Sequence, residues 1–206
     1  MFENYRNNIQ SVLIISCGAL AREIIALRDN NNLAHLSVHC LPAELHNCPD
    51  KIAPAVQNAI VKFRPDYDFI KVAYAECGTA GALDKVLKKE GIERINGPHC
   101  YAFFSGMKNF NNSSAGDIDV FYLTDFLTRH FENLVFKALG LDRHPELLNE
   151  YFKNYTRLVY LAQTDDPQLV DMARDAAKRL NLMFEVRQTG YGDLNQFITN
   201  YNSKKL

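Results

Sequence analysis

The sequence predicts an α/β fold, with a doubly wound, mostly parallel sheet flanked by helices and a helical insertion around residues 124–155. Short apolar runs rich in β-branched residues alternate with segments of helical periodicity, a pattern typical of parallel strands covered by helices. Glycines such as Gly18, Gly78 and Gly91 mark the ends of these runs. At 206 residues the chain is long enough for one well-buried domain, so we expect residues 1–206 to form a single α/β domain.

The first half of the chain contains four predicted strands with helices between them. The apolar runs predict strands at 11–16, 35–41, 67–75 and 92–95. Helical periodicity and capping residues predict helices from about 19 to 27, from Asp50 to about Phe63, and from Thr79 to Glu90 before Gly91.

The second half begins with a polar, turn-rich stretch at 107–117, which we expect to be a surface loop or lid. The remaining pattern predicts strands at 118–123, 157–163 and 182–188, and helices at 124–139, at 145–155 and from Asp166-Pro167. The segment "QTGYGDL", 188–194, places two glycines around Tyr191 and fits either a plain turn or a loop that contacts a substrate.

Composition and charge exclude several classes of protein. Lys and Arg total 23 and Asp and Glu total 24, which gives a net charge of −1 and argues against a nucleic-acid binder. The opening segment "MFENYRNNIQ" has no apolar core of a secretory signal, and no apolar run approaches the length of a membrane span. We expect a cytoplasmic protein without a membrane partner, in which five cysteines are thiols rather than disulfides.

Four cysteines follow a common rule of placement, because each stands at or just past the predicted carboxyl end of a strand: Cys17, Cys40, Cys77 and Cys100. Ligands of open α/β sheets bind at that edge. Cys40, and Cys48 in the loop after the second strand, are equally explained as packing residues. His99 adjoins Cys100 and His46 lies in the loop after the second strand, so both could complete a cysteine and histidine set. The sequence therefore predicts a zinc or iron site formed by Cys17, Cys77, Cys100, His46 and His99.

A thiol enzyme is the alternative. A cysteine at a helix amino terminus has its thiolate stabilised by the backbone amides, so Cys77 or Cys17 could be a nucleophile or an acid–base group. The segment "CGTAGALD", 77–84, resembles an anion-binding turn in which Gly78, Thr79 and Gly81 would hold a carboxylate. It matches neither GxGxxG nor a P-loop, so we expect no nucleotide cofactor.

Several longer strings resemble the DUF1638 family of bacterial and archaeal proteins over about residues 11 to 198. They are "CGALAREI", "LPAELHN", "ECGTAGALD", "GPHCYAFFSG", "FYLTDFLTRHF" and "KALGLDRHPEL". The resemblance implies a setting beside the corrinoid-dependent methyltransferases of methylamine-type one-carbon metabolism, and a corrinoid protein or methyltransferase as partner. It supplies no catalytic residues, which leaves open a metal-binding accessory protein, a thiol enzyme acting on a small carboxylate-type substrate, and a scaffold.

Overall fold

The computed structural model describes residues 10–113 and 117–200, and its residues fall into two compact units. Of the described residues, the first comprises 10–100 with 194–200, and the second comprises 101–113 with 117–193. Each contains one three-stranded, fully parallel sheet with helices around it, which confirms the α/β class and the parallel strands. The sequence predicted one sheet, whereas the strands divide between two. The grouping of residues 1–206 as a single domain stays a prediction.

The sheet of the first unit has the order β2-β1-β3. Its strands are β1 (Val12–Cys17), β2 (Leu36–Leu41) and β3 (Phe69–Ala73). All six residues of β1 are buried, as expected for a central strand of a parallel sheet. The predicted strand at 92–95 is reduced to one bridge between Val72 and Arg94, since this run is too short to extend the ladder.

Three helices pack on this sheet: α1 (Ala21–Asn30), α2 (Ile52–Phe63) and α3 (Ala82–Glu90). Pro54 lies in the first turn of α2, where its missing N–H costs nothing. Gly91 ends α3 with a φ of +67°, as predicted. The predicted start of α3 at Thr79 was three residues early, because Ala80 and Gly81 have left-handed backbones that no helix accepts.

The sheet of the second unit has the order β4-β5-β6. Its strands are β4 (Val120–Thr124), β5 (Arg157–Ala162) and β6 (Met183–Gln188). Helix α8 (Pro167–Arg179) covers it, and its amino terminus is capped by the Asp166 carboxylate, which accepts from the Gln168 amide.

The connection from β4 to β5 contains the predicted helical insertion in a broken form. The single helix expected at 124–139 is wrong: α6 (Asp125–Arg129) ends at His130, and a π-helical turn follows at Glu132–Phe136. The Lys137 amide donates to the Glu132 carbonyl, five residues back, so the extra residue in this turn interrupts the regular ladder. Helix α7 (Leu147–Phe152) completes the connection.

Two short helices replace the strand tip and the surface loop expected after residue 99. They are α4 (Cys100–Ser105) and α5 (Met107–Ser113). The Asp193 carboxylate accepts from the Met107 amide at 2.7 Å and so caps α5 from 86 residues away, which no local pattern reveals. Residues 114–116 of the predicted lid lie outside the described part of the chain. The last helix is α9 (Gly192–Thr199). Among the described helices, none has both the length and the apolar character needed to cross a membrane.

Gly192 and Gly190 provide a matched test of how the second unit packs. Both have left-handed φ angles, +50° and +55°. A Cβ on Gly192 would lie 2.2 Å from the Phe103 carbonyl oxygen, whereas a Cβ on Gly190 would meet nothing within 4 Å.

We expect Gly190→Ala to lower the free energy of unfolding by about 1–2 kcal/mol, the cost of a left-handed alanine. Gly192→Ala should lower it by about 3 kcal/mol or more, because overpacking is added to the same backbone cost. Urea unfolding followed by circular dichroism measures both values. Equal losses for the two variants would contradict the close approach at Gly192.

Candidate functional site

A thiol and an imidazole face each other at the carboxyl end of β1. Cys17 is the last residue of that strand and is only 3% exposed. Its Sγ lies 3.5 Å from Nδ1 of His46, which belongs to the 3₁₀ turn Ala43–Asn47 after β2. The Ala19 amide also points at the Cys17 sulfur, at 3.3 Å. The structure thus brings together two of the predicted metal ligands.

Tyr74 is the third member of this cluster and follows directly after β3. The parallel register pairs Ser16 with Ala73, so the next residues along the two strands, Cys17 and Tyr74, are neighbours. The Tyr74 ring stacks on His46, with centroids 6.3 Å apart and planes 18° from parallel. Although Tyr74 is 1% exposed, its hydroxyl has no hydrogen-bond partner within residues 10–113 and 117–200. Burial, and then the charge of a Cys17 thiolate, raise its pKa far above the ordinary value.

Cys77 lies in the turn that follows Tyr74 and is half-buried. It adopts a left-handed backbone with a φ of +51°, a conformation that costs a residue other than glycine about 1–2 kcal/mol. Its amide donates to the Pro98 carbonyl at 2.8 Å, which fixes the position of the turn. Burial and then the charge of a Cys17 thiolate raise the pKa of Cys77 to about 12. A Cys17 thiolate therefore lies close enough to disfavour ionisation of Cys77.

The positive charge that acts on the cluster of Cys17, His46, Tyr74 and Cys77 is that of Arg94, which lowers the pKa of Cys77 less than burial raises it. Burial raises the pKa of Cys17 to about 11, although the hydrogen bond from the Ala19 amide opposes this shift. Partial burial of the ring lowers the pKa of His46, even though the residue as a whole is exposed. At neutral pH the thiols are protonated and the imidazole is neutral.

The turn predicted to bind an anion already contains one of the chain's own carboxylates. Glu76 accepts hydrogen bonds from the Gly78 amide at 2.8 Å, the Gly81 amide at 3.0 Å and the Thr79 hydroxyl at 2.7 Å. These contacts, with the Gly81 amide the largest cause, lower the pKa of Glu76. An external carboxylate at Gly78, Thr79 and Gly81 would have to displace Glu76, and its binding there stays a prediction.

His99 and Cys100 follow a segment that is fixed beside the cluster. The carbonyls of Gly97 and Pro98 accept from the amides of Glu76 and Cys77, at 2.9 and 2.8 Å. Cys100 is the first residue of α4, and burial lowers the pKa of His99. Among the described residues, no group of three or more His, Cys, Asp or Glu side chains is arranged to hold a metal ion. The complete predicted ligand set is therefore not assembled in advance.

The other two cysteines were not predicted as ligands, although Cys40 lies near Cys17 and Tyr74. Cys40 is exposed, and its sulfur is 3.8 Å from the buried Ser16 hydroxyl. Cys48 is half-buried in the loop before Pro49. Sequence reasoning missed Tyr74, whose only signal was its position directly after a strand next to the one that ends at Cys17.

Comparison with known families gives one match. The model of a family described as a protein of unknown function, DUF1638, matches residues 40–198, most of the chain. The chain belongs to the DUF1638 family. A search of curated proteins and a search of solved structures each return no match. The DUF1638 match begins at Cys40, so His46, Tyr74, Cys77, His99 and Cys100 lie within it, while Cys17 precedes it.

Tyr74 and Tyr160 allow a matched test of the unpartnered hydroxyl in this DUF1638 protein. Both side chains are almost fully buried, but the Tyr160 hydroxyl donates to the Asp125 carboxylate at 2.6 Å. We expect Tyr74→Phe to leave the free energy of unfolding unchanged or to raise it by about 1 kcal/mol, because no hydrogen bond is lost. Tyr160→Phe should lower it by about 2 kcal/mol, since a bond to a carboxylate disappears. Urea unfolding of metal-free protein checks both values. An equal loss in the two variants would show that Tyr74 has a partner.

The pH dependence of stability tests the Glu76 turn. A carboxyl with a lowered folded pKa stabilises the fold fully above its ordinary value, here 4.5, and loses that effect as pH falls through the lower folded pKa. We therefore expect Glu76→Gln to be less stable than wild type at pH 7, and the difference to shrink below pH 4.5. Thermal unfolding between neutral and acidic pH measures this.

Glu150→Gln is the control for that experiment, because the Glu150 side chain is 65% exposed and pairs only with Lys153 at 3.3 Å. It should match wild type at every pH. A Glu76→Gln deficit that does not change as the pH falls would argue against the hydrogen-bonded carboxylate.

Proposed function

We propose that this chain is a zinc- or iron-binding accessory protein of corrinoid-dependent methyltransferase one-carbon metabolism, acting in the cytoplasm. The observation that carries the proposal is the pair of soft ligands at the carboxyl end of β1, with the Cys17 sulfur 3.5 Å from the His46 nitrogen. The corrinoid setting rests on what resemblance to the DUF1638 family implies. A corrinoid protein or methyltransferase is the proposed partner.

The distance between the two ligands fits a tetrahedral metal ion. Zinc binds sulfur at about 2.3 Å and imidazole nitrogen at about 2.0–2.1 Å. Two such bonds at the tetrahedral angle put sulfur and nitrogen about 3.5 Å apart. The separation of Cys17 and His46 is the same, so this pair would need little movement to hold zinc.

The electrostatics of the cluster favour a bound cation. The pKa values of the Cys17 and Cys77 thiols are raised to about 11 and about 12, because the charge of Arg94 does not offset burial, so stabilising both thiolates needs further positive charge. A divalent metal supplies that charge and binds cysteine as the thiolate. The low pKa of His46 keeps its ring neutral, which is the form that coordinates metals.

Cys77 is the proposed third ligand, because it lies in the turn directly after Tyr74, held there by the bond from its amide to the Pro98 carbonyl, and a Cys17 thiolate would raise its pKa. His99 or Cys100 would supply the fourth, because both follow the Gly97-Pro98 segment that is hydrogen-bonded to Glu76 and Cys77. Bringing these four ligands onto one metal ion requires side-chain movement. This is consistent with the absence of a preassembled group of three ligands among residues 10–113 and 117–200.

A thiol enzyme acting on a small carboxylate-type substrate is the second candidate. It is favoured by the contact between Cys17 and His46, which has the composition of a nucleophile and its base. The raised pKa of Cys17 weighs against it, since roughly one side chain in ten thousand would be ionised at pH 7. Cys77, whose pKa is higher still, is a poorer nucleophile.

Elemental analysis of anaerobically purified protein tests the metal proposal. We expect about one zinc or iron per chain in the wild type. That metal should be lost, together with a lower melting temperature, in Cys17→Ser, in Cys77→Ser and in one of the pair His99→Ala and Cys100→Ser, because a structural site adds its binding energy to folding. Cys48→Ser is the matched control and should retain the metal.

Two results separate the candidates. Wild-type protein with less than about 0.1 metal per chain, even after incubation with zinc or ferrous iron, would contradict the metal site. In that case alkylation rates measured against pH decide the alternative. One thiol that reacts far faster than the other four at pH 7 would favour the enzyme. Five equally slow thiols would defeat both candidates.

A further inference from the structure

The sheet of the second unit has a charged face, which is unusual for parallel strands. The register places Tyr122, Val159 and Glu185 side by side, and Arg157 and Arg187 lie two residues from this row, on the same face. Parallel strands are normally apolar on both faces. On this face the side chains form an ion-pair network instead.

The network links two arginines and two carboxylates. Asp117 accepts from Arg157 at 2.8 Å, from Arg187 at 3.0 Å and from the Tyr122 hydroxyl at 2.6 Å. Glu185 accepts from the same two arginines, at 3.0 and 2.6 Å. The charges cancel, so the network holds Arg187 in a fixed orientation without adding a net charge.

These contacts do not use all the N–H donors of Arg187. Its Nε donates to Glu185 and its Nη1 to Asp117. Neither of these two bonds uses Nη2, and the guanidinium also lies beside the Tyr122 hydroxyl. The Arg187 side chain is 30% exposed.

Arg187 lines a pocket of about 460 Å³ inside the second unit. This volume lies in the range of small-molecule sites. The lining includes the aromatic residues Phe104, Phe110 and Tyr122 and the amide residues Asn109 and Gln188.

The segment "QTGYGDL" forms one wall of the pocket, through Gln188, Thr189 and Gly192. Gly192 packs directly on the backbone of α4, where a Cβ would collide with the Phe103 carbonyl oxygen. Asp193 then caps α5, which carries Asn109 and Phe110 on the other side. The contacts of Gly192 and Asp193 thus hold this wall of the pocket in place.

We propose that this pocket binds a small organic carboxylate with an apolar or aromatic body. Nη2 of Arg187 offers N–H donors to a carboxylate oxygen, and the aromatic side chains offer a surface for the body. A dianionic phosphate suits the pocket less well, because Asp117 and Glu185 lie beside the same guanidinium and repel the additional charge. The site shares no residue with the proposed metal site, so either proposal can fail alone.

Isothermal titration calorimetry with matched probes tests the inference on the full-length protein. Benzoate, benzamide and benzamidine have the same ring and size and differ in charge. We expect millimolar or tighter binding of benzoate, about tenfold weaker binding of benzamide and no binding of benzamidine, because one charge-assisted bond is worth about a factor of ten or more. Inorganic phosphate should compete only weakly.

Two variants locate the site. Arg187→Gln should weaken benzoate binding about tenfold and leave benzamide binding within about twofold, since only the charge is removed. Arg143→Gln is the control, because that side chain is 74% exposed and outside the pocket, and it should bind like wild type. Asn109→Trp should block the pocket without touching the ion-pair network, and circular dichroism should show an unchanged fold.

Several outcomes would overturn the inference. They are no saturable heat with benzoate, equal affinity for benzoate and benzamide, tighter binding of phosphate than of benzoate, or benzoate binding that survives in Asn109→Trp. The last variant keeps the test decisive if Arg187→Gln fails to fold. Metal content plays no part in any of these measurements, so the result is independent of the proposed metal site.

Discussion

The candidate metal site depends on the parallel register of β1 between its two neighbours. Pairing of Ser16 with Ala73 puts Cys17 beside Tyr74, and pairing of Cys17 with Leu41 puts the turn that carries His46 at the same edge. A shift of one residue in this strand would turn the Cys17 side chain to the opposite face and dissolve the cluster. Burial of all six β1 residues fixes the register, so the packing that forms the apolar core also positions the site.

The alternation of apolar runs and helices was enough to predict the strands, because the period of a buried run is local information. The pair of Cys17 and His46 was also within reach, since strand ends of a parallel sheet meet at one edge. Long-range contacts were out of reach. Asp193 caps α5 from 86 residues away, and this is why a polar stretch expected to be a loop is a helix. Glu76 fills the turn expected to bind an external anion because a carboxylate precedes it by only two residues, a signal that was present and overlooked.

The two proposed sites solve the problem of buried polarity in opposite ways. In the cluster around Cys17, the thiols stay protonated and the Tyr74 hydroxyl is left without a partner in the described chain. These groups are buried in their neutral forms, which costs less free energy than burying charged ones. On the sheet face around Arg187, four charges are kept and cancel one another. The first arrangement gains from an added cation. The second is already neutral and offers the N–H donors of Arg187 Nη2. This suits a ligand held by directed hydrogen bonds rather than by the net charge of the site.

The turn after β3 indicates which residue of the candidate metal site can adjust its position most easily. Cys77 has a strained left-handed backbone, yet its amide is bonded to Pro98 and the next amides are bonded to Glu76, so the turn is held at both ends. Cys17 ends a fully buried strand and is equally fixed. His46 differs, because it lies on an exposed 3₁₀ turn and its ring meets Tyr74 only by stacking. Rearrangement of the turn Ala43–Asn47 therefore costs less than any change at the two thiols, so in the proposed metal site His46 would be the ligand whose position adjusts most easily.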